Sequence, residues 1–360
     1  MKKDHSKKRS LIKMIFLKND HTLKNSIQKH YVKNEFIFIF IIMPNKSQNI
    51  KYILDNFKKK DIIQFIINEN LEELLKKLNA KLIQNIVYNM KNKTVGVHLS
   101  REKTLKKTVE KVININGNAL QIFTSNPMNC QPANIDKYFK EIEEIKDLKC
   151  SYVIHASYTI NIASLDTKQI NLNFNIIKND LLIANKLNAI GVILHVGKYV
   201  KNDPTECYNQ MVIFMNKIIE FIKNNNLNTK IILETGAGQG TEMLVDIDEF
   251  INFYNKFDKN YISLCFDTCH VYSAGYNIID SYNKIQLQTN NAISIIHLNG
   301  SKTKFGSRKD RHENLTLGFI TLENIQNFIK NIELDIMIIL ETPDEKYYES
   351  EIKMINELIP

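Results

Sequence analysis

Six apolar runs in the C-terminal three quarters of this 360-residue chain end in an imidazole or a carboxylate. They read YVIH at His155, VILH at His195, IILE at Glu234, SLCFD at Asp267, SIIH at His297 and IILE at Glu341, and the closing residues recur at intervals of 30 to 44 positions. A strand covered on both faces needs an unbroken Val/Ile/Leu run, which is the situation of a parallel strand wrapped by helices. The polar residue then marks the carboxyl end of the strand. In a (β/α)8 barrel all those ends converge on the face where the chemistry is done, so residues far apart in sequence would meet in one pocket. Imidazole nitrogen and carboxylate oxygen are zinc ligands in their own right and need no cysteine beside them.

Two further runs precede the first of these, TVGVH ending at His98 and ALQIFT ending at Thr124, which brings the strands to eight. Helix-length amphipathic stretches at 136–148, 171–188 and 206–225 lie between runs, as βα alternation requires. The span 94–360 is close to the roughly 250 residues of a TIM barrel, and that α/β fold is the expectation for it.

Charge separates the rest of the chain from this span. Residues 1–93 hold 20 Lys/Arg against 8 Asp/Glu, whereas 94–360 hold 28 against 31, so the net +9 of the chain comes from an N-terminal extension. Its opening MKKDHSKKR is a lysine-rich cluster suited to sequence-independent attraction to phosphates or to a localisation signal. Apolar residues at three and four spacing between 47 and 90 make the extension partly helical. The run FIFIFIIM at 36–43 is far short of the about 20 apolar residues that cross a bilayer, so no membrane association is expected. Five cysteines without CxxC pairing (Cys130, Cys150, Cys207, Cys265, Cys269) argue against a disulfide framework and for a reducing intracellular compartment, nuclear or cytoplasmic, or a virion if the source is viral. Cys265 and Cys269 read as packing residues. A monomer is expected.

Three more ligand candidates are local. In DTCH, Asp267 and His270 stand three apart just past a strand end; in DRH, Asp310 and His312 stand two apart, where alternate residues of an extended loop point the same way. His270, Asp310 and His312 raise the candidates to nine, and all six histidines of the barrel span fall at or just beyond a strand end. A structural zinc takes four ligands and a catalytic one three plus water, so nine are too many for one ion and suit a cluster of three with a bridging carboxylate.

The segments HASYTIN (155–161), LETGAGQGT (233–241), FDTCHVYSAGYN (266–277), HLNGSKTKFGSRKDRHENL (297–315) and ILET (339–342) closely resemble the signature segments of the endonuclease IV type of apurinic/apyrimidinic endonuclease. The resemblance runs in order over 94–360 and leaves the extension uncovered. It implies three zinc ions per chain: the first held by His155, His195 and Glu234, the second by Glu234, Asp267, His297 and Glu341, the third by His270, Asp310 and His312. It also implies catalytic roles for Glu234, the bridge, and Glu341, which would orient the attacking group. Asn126, Met128, Tyr158 and Arg311 fall on segments that in this family contact DNA. The activity implied is hydrolysis of the phosphodiester on the 5′ side of abasic sites in duplex DNA, with cleaning of blocked 3′ ends.

The chain departs from the family pattern at three places. HVGK replaces the usual HPGS, which puts Val196 and Lys198 after the ligand His195, with the lysine expected in solvent. HLNG replaces HLND; a carboxylate at Gly300 would support a zinc-bound histidine, so its loss should loosen the site. Met128 stands where an arginine often follows the proline, an apolar side chain able to fill the gap a missing base leaves. GAGQG at 236–240 lacks the nucleotide-loop spacings and reads as a turn. A metal-dependent sugar isomerase or epimerase on a related barrel is the alternative enzyme, disfavoured by the DRH loop and its third ion. A non-catalytic DNA-binding scaffold is disfavoured by nine intact ligands.

Overall fold

Eight parallel strands close into a barrel in the computed structural model, which describes residues 93–128, 131–333 and 335–358. The expected extension, with its 47–90 helical stretch and its FIFIFIIM run, lies outside the described residues, as does Cys130. The barrel strands are β1 (Val95–His98), β2 (Ala119–Phe123), β3 (Ser151–His155), β4 (Gly191–His195), β5 (Lys230–Glu234), β6 (Ile262–Asp267), β7 (Ile293–His297) and, after a small antiparallel ribbon of β8 (Gly300–Ser301) and β9 (His312–Glu313), β10 (Met337–Leu340). Each pairs with its sequence neighbour in the barrel, and β10 closes the ring between β7 and β1.

Helices α1 (Leu105–Asn114), α2 (Ile135–Glu143), α3 (Thr167–Leu187), α4 (Pro204–Asn224), α5 (Ile247–Tyr254), α6 (Thr268–Ala274), α7 (Ile278–Gln288), α8 (Leu322–Asn331) and α9 (Tyr348–Leu358) follow the strands. Their starts are chemically marked. Thr104, Asn134, Asp166, Asp203, Asp246, Asp267, Asn277 and Thr321 each accept a backbone N–H of the first turn, which satisfies donors that have no partner inside the helix. The amphipathic 136–148 stretch is helical only to Glu143. Beyond it the chain tightens into three-residue turns, Ile145 N–H to Ile142 O and Leu148 N–H to Ile145 O, which keep Ile145 buried without continuing the helix.

Alternation along each strand sends every second side chain inward. One inner layer holds Ala119, Val153, Ile193, Ile232, Cys265, Ile295, Met337 and Ile339. The intervening residues, such as Ile154, Leu194, Leu233 and Phe266, pack outward against the helices. Gly96 lets β1 and β2 come together, because a Cβ there would lie 1.6 Å from the Ala119 carbonyl oxygen. Every strand-end residue singled out from the sequence on β3 to β7 and after β10 stands two positions beyond an inner-layer residue. The barrel floor is therefore apolar and its C-terminal mouth is polar.

Buried carboxyls also lie outside the mouth, Asp180 among them. Asp180, on α3, accepts a hydrogen bond from the Thr124 hydroxyl at 2.5 Å, and burial pushes its pKa up to about 7, against smaller lowering effects of Thr124 and His155. An acid whose folded pKa is raised contributes stability that is fully present below its unfolded pKa of about 4 and is lost as pH rises through 7. Asp180→Asn keeps the acceptor oxygen and cannot ionise. The advantage of the variant over wild type in denaturant unfolding is therefore expected to grow by roughly 3 kcal/mol from pH 5 to pH 8 and then level off. Parallel stability profiles across that range would contradict a neutral buried acid.

Candidate metal centre

Nine side chains meet at the mouth in three groups, and within each group one ligand atom per residue lies within 4.8 Å of the others: His155, His195 and Glu234; Glu234, Asp267, His297 and Glu341; His270, Asp310 and His312. All nine metal candidates from the sequence are thus brought together; two further overlapping groups join Cys265 to Glu234 and His297, and Cys269 to Asp267 and His312. Glu234 is 1% exposed and belongs to two groups. Its two oxygens face opposite ways. Oε2 lies 3.3 Å from His155 Nε2 and 3.1 Å from His195 Nε2, while Oε1 lies 2.8 Å from His297 Nδ1 and 3.5 Å from His270 Nδ1.

Local structure aims the ligands. Asp267 ends β6 and caps α6: its Oδ1 accepts the His270 N–H at 2.8 Å, and this one turn of helix swings His270 back over the mouth. Asp267 Oδ2 accepts from the Asn299 amide at 2.7 Å. Imidazole orientation is set by acceptors that cannot donate. The Ala156 carbonyl takes the Nδ1 hydrogen of His155 at 2.7 Å and the Thr235 carbonyl that of His270 at 2.8 Å, so both rings turn Nε2 to the cluster. Asp310 comes from the loop between β8 and β9, and His312 opens β9. His270 Nε2 and His312 Nε2 are buried without a hydrogen-bond partner, yet both point at Asp310 Oδ1, at 3.3 and 3.2 Å. Two orphaned imidazole nitrogens converging on one carboxylate oxygen fit a cation and little else.

The electrostatics agree. Burial pushes the Glu234 and Glu341 carboxyls up, but the surrounding imidazoles, His195 and His297 for the first and His297 and His98 for the second, hold both well below the usual range. Burial lowers His270, and Asp267 with Asp310 more than reverse it. Cys265 and Cys269 come within the same 4.8 Å of cluster atoms, but burial pushes their thiols up to about 12 and about 11, consistent with packing residues beneath the carboxylates.

The four DNA-contact candidates ring this mouth. Tyr158 is 53% exposed, with its ring 5.8 Å from His155 and 5.9 Å from His195. Met128 is 75% exposed on a turn whose N–H the Asn126 side chain accepts at 3.0 Å, and Ser157 ties that turn to the β3 loop through the Pro127 carbonyl. Arg311 donates to Gln239 at 3.2 Å. Gln239 belongs to the GAGQG turn, which is held in shape by Glu242: its carboxylate accepts from Gly238 and Gln239 N–H, and Gly238 and Gly240 have positive φ.

The departures have structural outcomes. Val196 is buried and Lys198 is exposed, its backbone clasped by the Asn161 amide at 2.9 and 2.8 Å. Gly300 lies in the β8–β9 ribbon. It pairs with Glu313 in the ribbon, and a Cβ would lie 2.8 Å from the carbonyl oxygens of Glu313 and Asn314, so position 300 faces backbone rather than a histidine. The supporting side chain is its neighbour Asn299, which donates to Asp267 and accepts the Glu341 N–H at 2.9 Å.

Sequence reading missed Asn299 and Gln121 and gave His98 no role. Gln121 and His98 both touch Glu341 Oε1, at 2.6 and 2.8 Å. Gln121 stands two residues past Ala119, the offset at which the ligands of other strands follow the inner layer, but that layer is defined only once the ring is closed.

Comparison with known proteins places the chain. Residues 109–358 match the family model described as a xylose isomerase-like TIM barrel. The chain is 34% identical over 280 residues to the probable endonuclease 4 of Clostridium beijerinckii, an alignment covering 73% of this chain and 98% of the relative. It is likewise 34% identical over 278 residues to the probable endonuclease 4 of Mycoplasmopsis pulmonis, covering 73% and 99%. Among solved structures, endonuclease IV from Thermus thermophilus superposes with a TM-score of 0.58 at 23% identity over 73% of this chain and 97% of that one. A D-tagatose 3-epimerase-like protein does so with 0.59 at 20%, over 73% and 96%, a likeness of fold alone. By the family match and by identity over nearly the full length of these relatives, the chain belongs to the endonuclease IV family of xylose isomerase-like TIM barrels.

Proposed function

We propose that this nuclease is a three-zinc enzyme that hydrolyses the phosphodiester on the 5′ side of abasic sites in duplex DNA. The products are a 3′ hydroxyl and a 5′ deoxyribose phosphate, and the same chemistry removes blocked groups from 3′ ends. The observation that carries the reading is the third group. His270, Asp310 and His312 would hold one more ion than a two-metal centre needs, and the Nε2 atoms of both imidazoles converge on one oxygen of Asp310.

Bound divalent ions supply a nucleophile at neutral pH, neutralise the phosphoryl oxygens and stabilise the departing alkoxide. The residues of the chain position those functions. Glu234, with one oxygen toward each of the first two groups, spaces them. Glu341 has Oε1 taken by Gln121 and His98 and keeps Oε2 turned to the cluster, 3.3 Å from His297 Nδ1, where it can orient an attacking group. Tyr158 offers an aromatic edge to the baseless sugar, and Met128 a flexible apolar wedge for the vacated stack. Arg311, braced by Gln239, is a phosphate contact, and the +12 extension adds sequence-independent attraction to the duplex.

The test is incubation of the zinc-loaded protein with a duplex carrying one abasic site. Cleavage 5′ to the lesion, with product ends that a polymerase extends directly, is the expected result. An intact duplex, together with epimerisation of a ketose by a protein retaining a single ion, would establish the sugar-epimerase alternative instead.

A further inference from the structure

Gln121 is fully buried on β2, in the layer of the ligands, and its amide touches two members of the second group. Nε2 lies 2.6 Å from Glu341 Oε1, and Oε1 lies 2.8 Å from His297 Nε2. A carboxylate only accepts, so the amide nitrogen must face Glu341. The amide oxygen is then committed to His297, and an oxygen acceptor requires the ring hydrogen on Nε2. That hydrogen leaves the Nδ1 lone pair facing the cluster, 2.8 Å from Glu234 Oε1, 3.3 Å from Glu341 Oε2 and 3.7 Å from Asp267 Oδ2. His155 and His270 present the opposite nitrogen, Nε2, because backbone carbonyls take their Nδ1 hydrogens. In His297 a side chain does what the backbone does for the other two. The same amide divides the labour of Glu341, whose Oε1 it shares with His98 Nδ1, so that Oε2 is the oxygen left for the cluster.

We propose that Gln121 is a positioning residue that selects Nδ1 of His297 and Oε2 of Glu341 as ligand atoms and thereby sets the affinity of the second group for its ion. The proposal rests on the metal-centre reading and not on the choice of substrate. Groups of this kind, in contact with ligands rather than with metal, are worth about 10–100-fold in metal affinity.

The experiment loads full-length Gln121→Leu with zinc in competition with a chromophoric chelator and resolves the equivalents bound. One equivalent is expected to weaken about 10–100-fold while the others keep wild-type affinity. In steady-state cleavage of an abasic duplex at limiting free zinc, kcat should fall with KM unchanged. Gln121→Met, which fills a similar volume without an amide, should reproduce both effects and serves if the leucine variant misfolds. Wild-type affinity at every equivalent, in a variant of wild-type thermal stability, overturns the proposal and makes Gln121 a packing residue. A weakened equivalent in a protein that cuts no abasic duplex upholds the positioning role while the substrate reading falls. Fewer than two ions in the wild type would overturn both the metal centre and the role of Gln121.

Discussion

Glu234→Gln is expected to reduce cleavage of an abasic duplex by more than about 100-fold and to lower the bound metal by at least about one ion. Residues that merely support ligands are worth about 10–100-fold, and Glu234 is a candidate ligand shared by two groups, so its loss must exceed that range. The amide is nearly isosteric, which keeps the barrel intact, but it removes the charge and replaces one acceptor oxygen with a donor NH2. Whichever way the amide turns, that NH2 faces imidazoles, either His155 and His195 at 3.3 and 3.1 Å or His297 and His270 at 2.8 and 3.5 Å. One of the two groups therefore loses its anion-like contact entirely. His270→Ala supplies the contrast, since it belongs to the third group alone and should leave the first two ions in place. Metal analysis beside single-turnover cleavage decides the matter. Near-normal turnover with full metal content in Glu234→Gln would sink the bridging assignment.

The legibility of this chain depended on where polar residues stood in apolar strands. His155, His195, Glu234, Asp267 and His297 each terminate a strand within the observed bounds, and Glu341 follows β10 by one residue, because a covered parallel strand tolerates polarity only where it opens into the mouth. Gln121 was passed over for the same reason. It lies mid-strand in ALQIF, and only the closed ring shows that β2 is displaced enough along the barrel for that residue to reach the ligand layer. Asn299 was hidden differently: it lies beyond β7, where no periodicity constrains direction, and its partners Asp267 and Glu341 are 32 and 42 residues away in sequence. The backbone surroundings of Gly300 were hidden in the same way, since a two-residue ribbon leaves no periodic trace. Spacing produced the nine candidates, but their division among three groups came from family resemblance, because strand order gives the neighbours around a barrel and not which side-chain atoms converge on one ion.

Removal of metal should have the largest effect on the chemistry, and the cluster predicts how the ions return. Chelation is expected to abolish cleavage, and reloading to restore it with close to three ions per chain. In the metal-free state the charges balance among themselves. Burial disfavours the charged form of His297, yet Cys265, Glu341 and Glu234 raise it well above the ordinary histidine value; burial opposes the charge on His270, and Asp267 and Asp310 overcome it. Both rings are therefore protonated at neutral pH beside ionised Glu234 and Glu341, whose carboxyls are held well below their usual range. A metal ligand must be the neutral imidazole, so each of these protons leaves when an ion enters. The sign follows: a raised histidine pKa keeps the proton bound until pH climbs through it, so protons compete most strongly in acid and the apparent metal affinity rises with pH. Calorimetric titration of zinc in buffers of different ionisation enthalpy should register about two protons released per chain at pH 7, and the logarithm of affinity should climb by about one per pH unit for each of the two ions that displace one. The carboxylates act on the stability of the fold, again more favourably as pH rises. Their depressed pKa values stabilise the metal-free fold above the unfolded carboxyl range, and this stability is lost as pH falls through the folded values. Zinc uptake without proton release at pH 7 would mean that His270 and His297 are already neutral, and the buried ion-pair cage would have to be abandoned.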